Sequence, residues 1–399
     1  MTTIWIILFF ISAGSFFHTY LFYPLLLHFL SKKKQPERPR YEGDDPWPRI
    51  SVLLSVYNEE EVIQKKLQTL FQSDYPTDLL EIFVGSDASN DRTNEWVQAI
   101  SRDHSYVHFS AFPERRGKPS VLNDLAAQAF EQNPASTDHL LLITDANVFL
   151  EPSTIRVLAR HFKDPQIGLV DAHMVNTGQA APGISRSETQ YIQTESRIKN
   201  WEGTLWGTMI GPFGGCYLLR SDLFEPVPPH FLVDDFYIAM RAFEKGAQAI
   251  NDLDARCYEA VSHELKEEFR RKARIAAGNF QNLLRFRHLW LPPFNQLGFA
   301  FFSHKVLRWM GPFFLFFMLL SSFALAWGGS KLFLVIFLLQ LILWGGVPLL
   351  DRILLMLGIH GLWLRSIRYF FAMNLALLAG FFRFLRGIRS GTWEPPKRL

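Results

Sequence analysis

Apolar residues run almost unbroken from Ile4 to Leu30, and Lys32, Lys33 and Lys34 follow at once. A bilayer core takes about 20 apolar residues of helix, so this run is long enough to cross. No basic segment precedes it and no small-residue cleavage site follows, which predicts a retained signal anchor. The lysines place the residues after 31 on the cytoplasmic side. A second apolar region fills the last third of the chain. It predicts spans over about Trp309–Trp327 and Leu332–Leu350, joined by Gly328-Gly329-Ser330-Lys331. Past Asp351-Arg352 the runs Ile353–Trp363 and Tyr369–Phe382 are each too short to cross alone, with Arg365 and Arg368 between them. They fit one kinked span, a re-entrant pair or interfacial helices. Arg383, Arg386, Arg389, Lys397 and Arg398 favour a cytoplasmic C-terminus.

Between these ends the pattern changes to short β-rich runs alternating with helical ones. Ile50–Tyr57, Leu80–Asp87, Val107–Phe112 and His139–Asn147 read as strands. Glu60–Phe71, Asp91–Arg102 and Lys118–Asn133 read as helices. Such alternation predicts an α/β domain, a mostly parallel sheet with helices on both faces. Ligands then sit beyond the carboxyl ends of the strands. Chemistry-bearing side chains do cluster there: Tyr57-Asn58-Glu59 after the first strand, Asp87 on the second, and Asp145-Ala146-Asn147 at the fourth.

Composition refines this picture. The chain is 48% hydrophobic and 20% charged, averages that conceal apolar ends and a soluble-like middle. A net charge of +3 is too small to suggest nucleic acid as a partner. Cys216 and Cys257 are the only cysteines, so no disulfide framework exists and a reducing compartment suits the chain.

Several segments carry candidate chemistry. Asp91 or Asn90 suits a helix cap, whereas Asp87 stands before the cap, where a carboxylate can accept the ring N–H of a nucleotide base. Asp145 and Asn147 offer one carboxylate and one neutral carbonyl oxygen to a hard cation such as Mg²⁺ or Mn²⁺, which takes one or two carboxylates plus substrate phosphates. Lys118 opens a helix, where a cation is unfavourable unless a phosphate offsets it. Gly211-Pro-Phe-Gly-Gly215 is a glycine-dense turn that permits close approach to a ligand. Asp234 and Asp235 are adjacent acids beside Phe231, Leu232 and Phe236. That setting raises the pKa of one of them and makes it a base for an attacking hydroxyl. Arg270, Arg271 and Arg274 suit a diphosphate or, equally, anionic lipid head groups.

In this order the segments resemble the membrane-bound family 2 glycosyltransferases of GT-A fold, the group of the cellulose, chitin, hyaluronan and poly-N-acetylglucosamine synthases. The resemblance spans about residues 48 to 290. It rests on Val56-Tyr57-Asn58-Glu59, Ser86-Asp87-Ala-Ser-Asn-Asp91, Gly117-Lys118-Pro-Ser-Val-Leu-Asn123, Asp145-Ala-Asn147, Gly214-Gly215 with Arg220, and Asp234-Asp235. It implies a transmembrane anchor at 1–30, a linker at 31–48, a cytoplasmic GT-A catalytic domain at 49–260, a basic interfacial segment at 261–305, transmembrane and interfacial helices at 306–390 and a tail at 391–399. It further implies an inverting transfer from a nucleotide-diphosphate sugar, with UDP the expected carrier, to a lipid-linked or growing glycan acceptor. Tyr57, Asn58, Glu59, Asp87, Lys118, Asp145, Asp234, Arg271 and Arg274 would bind the nucleotide sugar, Asp145 and Asn147 the divalent cation, and Asp235 would be the base. Membrane lipid and other membrane subunits of a glycan assembly system are the expected partners, at a bacterial inner membrane.

Two departures stand out. The family's Asp-x-Asp is here Asp145-Ala-Asn147, and Arg271-Lys272-Ala-Arg274-Ile275 replaces Gln-x-x-Arg-Trp. The second argues against a processive synthase, while Thr392-Trp393-Glu394-Pro395 resembles the tail of some synthases and argues for one. A non-catalytic scaffold keeping the fold is the third reading. Loss of Lys118 or Asp235 would favour it, and both are present.

Overall fold

The structure, a computed structural model, describes residues 2–32, 37–177, 185–260, 265–359, 361–388 and 391. Lys33, Lys34, His263, Glu264, Arg389 and the segment 392–399 lie outside the described residues. Along the chain come α1 (Thr2–Ser31), β1 (Arg49–Val56), α2 (Ile63–Phe71), β2 (Leu80–Asp87), α3 (Thr93–Asp103), β3 (Val107–Phe112) and α4 (Lys118–Gln132). Then follow β4 (His139–Thr144), β5 (Val148–Leu150), α5 (Thr154–Ala159), β6 (Ile167–Thr177), α6 (Ser185–Trp206), β7 (Cys216–Arg220), α7 (Asp234–Glu244) and β8 (Gln248–Ala260). The remainder is helical: α8 (Leu265–Arg285), α9 (Gln296–Trp309), α10 (Gly311–Trp327), α11 (Lys331–Met356) and α12 (Leu362–Leu385). These elements form two compact units, one around the sheet and one made of α1 and α8 to α12.

In the sheet unit the strand order is β3-β2-β1-β4-β7-β6-β8-β5. The first four strands are parallel, as the alternation predicts. Every residue of β4 is buried, which is why it reads as a continuous apolar run with no alternation. The second half is mixed: β7 runs antiparallel to both β4 and β6, while β6 and β8 are parallel. Two boundaries differ from expectation for visible reasons. The helix expected from Glu60 starts at Ile63, because Asn58 to Glu60 bond across to the loop after β2. The Glu60 N–H donates to Asp91 Oδ2 at 3.1 Å, and Glu60 Oε2 accepts from the Arg92 N–H at 3.0 Å. The fourth strand stops at Thr144, and Asp145 to Asn147 make a turn into β5, which pairs with β8.

In the helical unit, α1, α11 and the 363–385 stretch of α12 are each long and apolar enough to cross a membrane, among the described residues. Helices α9 and α10 bend by 62° at a break beside Gly311-Pro312, where proline starts the second helix and cannot continue the first. The expectation for the final runs is corrected. Ile353 to Met356 complete α11, and Tyr369–Phe382 lies inside one unbroken helix that also contains Arg365 and Arg368. Arg368 is tolerated because its Nε lies 2.9 Å from Asp351 Oδ2 on α11, a carboxylate with no exposure. Gly380 lets α12 approach α8 closely, since a Cβ there would stand 2.4 Å from that of Ala276 and 2.7 Å from the Ala273 carbonyl oxygen.

Arg368→Leu leaves Asp351 as an uncompensated buried charge and should destabilise the chain by about 3 kcal/mol. The thermal midpoint in detergent checks this, and the double variant with Asp351→Asn should recover most of the loss.

Candidate active site

The carboxyl ends of β1, β2 and β4 open on one crevice, lined by Tyr57, Glu59, Asp87, Arg115, Lys118, Asp145 and Asn147 together with Ser55, Val56 and Ala146. Two loops at its rim are tied together. Asn58 adopts a left-handed φ of 52° and its Oδ1 accepts the Asn90 N–H at 3.0 Å, while the Glu59 N–H donates to Thr93 Oγ1 at 2.8 Å. Asp91 Oδ1 accepts the N–H of Thr93, the first residue of α3, at 3.0 Å. Asp87 accepts the N–H groups of Arg116 at 2.7 Å and Gly117 at 2.8 Å, one on each oxygen. That clamp fixes the entry to α4, where Gly117 has a φ of 88°. Beside it the Arg115 guanidinium lies 3.6 Å from the centre of the Tyr57 ring.

Lys118, the first residue of α4, projects among the acids. Its Nζ lies 2.7 Å from Asp145 Oδ1 and 3.4 Å from Asp234 Oδ2. Burial alone would lower its pKa, but Asp145, Asp234 and Asp235 outweigh burial and hold the amine firmly protonated. Asp235 behaves oppositely. Burial first, and then Asp234 next to it, push its carboxyl up to about 7, against the opposing pull of Lys118 and of the Phe236 N–H that it accepts at 2.8 Å.

The glycine-dense turn holds Asp235 in place. Gly214 has a φ of 83°, and a Cβ built on it would fall 2.4 Å from Asp235 Oδ2. Behind this turn a buried ion pair, Lys199 Nζ to Asp171 Oδ2 at 2.6 Å, braces Phe213. The Phe213 N–H points at both Asp171 oxygens at 3.3 Å, and its ring lies 3.6 Å from the Lys199 ammonium. Asn123 on α4 closes the frame, exchanging two 2.8 Å hydrogen bonds with the Val227 backbone.

The Asp145–Asn147 turn is held from below. The Asp145 N–H donates to the Gly215 carbonyl at 3.0 Å. Lys66, with no exposure, donates to Thr144 Oγ1 at 2.7 Å and the Val148 carbonyl at 2.5 Å. Burial lowers this amine's pKa to about 8. Asn147 Nδ2 donates to Glu259 Oε1 at 2.8 Å. Among the described residues no three of His, Cys, Asp and Glu converge to hold a metal by themselves. One carboxylate and one amide oxygen at the turn fit a cation whose other ligands come from a substrate diphosphate.

This arrangement coincides with sequence kinship. The family model described as "Glycosyl transferase family 2" matches residues 51–224, and that described as "Glycosyl transferase family group 2" matches residues 140–383, more than half the chain. The chain belongs to this family. It is a family 2 glycosyltransferase. A probable glycosyltransferase, YdaM, of Bacillus subtilis is 25% identical over 70% of this chain and 67% of its own length. A poly-beta-1,6-N-acetyl-D-glucosamine synthase of Staphylococcus epidermidis is 26% identical over 39% of this chain, and the match spans 38% of that relative. A mannosyltransferase of Pyrobaculum calidifontis, solved with GDP-Man and Mn²⁺, shares the fold with a TM-score of 0.70 at 23% identity, over 96% of this chain and 98% of that one.

Of the site residues expected from sequence, the fold of the glycosyltransferase brings Tyr57, Glu59, Asp87, Lys118, Asp145 and Asn147 to the crevice, with Asp234 and Asp235 joined through Lys118. Asn58 is a brace between loops. Arg271 and Arg274 lie on α8 in the helical unit, where Arg271 Nε donates to Glu268 Oε2 at 2.9 Å. Sequence reasoning missed Arg115 as a crevice residue, and Lys66, Asp171 and Lys199 as its supports. Arg115 stands two residues before the Gly117-Lys118 segment, and the basic run Arg115-Arg116 there was a usable signal. Lys66 alone on the apolar face of α2 was a usable signal. The Asp171–Lys199 pair had none, because its partners are 28 residues apart on a strand and a helix.

Gly214→Ala forces a methyl onto the Asp235 carboxylate and should lower kcat about 100-fold, the scale of a misplacement near 1 Å. Steady-state rates alongside nucleotide affinity check this: unchanged kcat would show that the turn does not hold the carboxylate.

Proposed function

We propose that the chain transfers a sugar, with inversion, from a nucleotide-diphosphate sugar, UDP being the carrier, to a lipid-linked or growing glycan acceptor at a membrane. The observation that carries this reading is the convergence of Asp87, Lys118 and Asp145 on one crevice, with Asp235 coupled to Lys118 and pushed up to about 7. Both Asp87 oxygens hold backbone N–H groups yet keep a further lone pair, suited to the ring N–H of the base. Tyr57, with Arg115 over it, offers a stacking surface to that base. Lys118 faces the diphosphate as a point charge. Asp145 and Asn147 would hold the divalent cation, which supplies charge neutralisation to the departing diphosphate.

The acceptor hydroxyl oxygen forms its bond to the anomeric carbon as the bond from that carbon to the diphosphate oxygen breaks. Its proton passes to Asp235 Oδ, and the electron pair leaves with the nucleoside diphosphate. One in-line displacement inverts the centre. The lysines after α1 support a cytoplasmic sheet unit, with membrane lipid around the helices.

Asp235→Asn should cut kcat by about 10²–10⁴-fold while nucleotide affinity stays within a few-fold, because a base acts in the transition state. Nucleoside-diphosphate release and nucleotide titration together read this, and equal loss of both sinks the role. The base works ionised, so kcat/KM should fall tenfold per pH unit below about 7 and level off above it. A profile flat from pH 5 to 8 excludes Asp235 as the titrating group. Excess chelator should abolish release and Mn²⁺ or Mg²⁺ restore it; full activity in chelator removes the cation from the reading.

A further inference from the structure

The amide in the second acidic position of the cation turn has its own carboxylate behind it. Asn147 Nδ2 donates to Glu259 Oε1 at 2.8 Å. The contact is built into the sheet. Residue 148 starts β5 directly after the turn, and β5 pairs antiparallel with β8 so that Val148 stands opposite Glu259. The same stretch of β8 is paired on its other edge with β6, Asn176 opposite Glu259 and Thr177 opposite Ala260. Glu259 is therefore held beside Asn147 by register on both sides, and not by a mobile loop. The turn is fixed at its other corners by Lys66 on the Val148 carbonyl and by Gly215 on the Asp145 N–H.

We infer that Glu259 is a positioning residue for the cation turn: it replaces the charge missing at Asn147 and fixes which atom of that amide a divalent cation meets. The inference rests on the proposed cation at Asp145 and Asn147. A carboxylate only accepts hydrogen bonds, so it commits the amide nitrogen of Asn147 to itself and leaves the carbonyl oxygen as the atom available to a hard cation. Without that acceptor the two ends of the amide are near equivalents, and a nitrogen turned toward a cation repels it. The negative charge of Glu259 also adds to the field at the turn without occupying a coordination position. The pair Asn147–Glu259 thus carries one negative charge, as an aspartate in place of Asn147 would, but sets it one side chain further back.

This arrangement makes an unusual demand on substitutions. Asn147→Asp restores the family's Asp-x-Asp yet sets two hydrogen-bond acceptors, the new carboxylate and Glu259, face to face with no donor between them. Glu259→Gln removes the charge and frees the amide to turn. Together the two changes rebuild the hydrogen bond with its polarity reversed, the amide introduced on β8 donating to the carboxylate introduced at the turn.

The test is Mn²⁺ binding to the detergent-purified full chain in the presence of UDP, followed by the electron paramagnetic resonance signal of free Mn²⁺. Glu259→Gln should weaken Mn²⁺ binding about tenfold, the scale of outer ligands of metal sites. Asn147→Asp should also weaken it at pH 7.5, and Asn147→Asp with Glu259→Gln should return to within about threefold of the wild-type chain. Wild-type affinity in Glu259→Gln, or tighter binding in Asn147→Asp alone, overturns the inference and leaves the cation reading standing. No Mn²⁺ bound by the wild-type chain overturns the cation reading and this inference with it.

Discussion

The half-buried ammonium of Lys118 holds the site together, 2.7 Å from Asp145 and 3.4 Å from Asp234. Asp145 comes from the end of β4 and Asp234 and Asp235 from the start of α7, and like charges so close in a poorly solvated crevice repel strongly. The placement of Lys118 depends in turn on Asp87, whose two oxygens hold the backbone just before α4. These groups thus form one electrostatic unit spanning several elements. Within it Asp235, desolvated and next to Asp234, is poised to exchange a proton near neutrality.

The parallel half of the sheet was legible in the sequence because it obeys a local rule. Strands β1, β2 and β4 are short apolar runs closed by polar residues, and each crossover is a helix. Asp87, Lys118, Asp145 and Asp235 were legible for the same reason, standing at strand ends or helix starts. The mixed half was not, since the direction of β7 depends on the glycine turn behind Asp235, whose backbone path is a property of tertiary packing. Helix α12 was misread because Arg365 and Arg368 look like an interruption until Asp351 is seen beside one of them.

Supports were harder to read than the groups they support. Lys66 lies among apolar neighbours on α2, and only the fold shows that its ammonium holds the underside of the Asp145 turn. Asp171 and Lys199 act one step further back, through the Phe213 backbone and ring, on the glycine that seats Asp235. Pairing of this kind leaves no spacing in the sequence, because its partners meet only when strand and helix pack. Glu259 belongs with them: its position was one ordinary acid on a strand until β5 laid it against Asn147.

The Asp351–Arg368 pair also bears on how the chain is made. An arginine costs most, about 2.5–3.5 kcal/mol, at the centre of a membrane helix; α12 carries Arg365 and Arg368 in its first two turns and Arg383 in its last. A membrane helix with such charges inserts poorly by itself. Its counter-charge lies on α11, which is synthesised first and is apolar enough to enter unaided. The order of the two helices therefore places the carboxylate in the chain before the arginine it meets, so that α12, long and apolar enough to cross a membrane, would find its counter-charge already made.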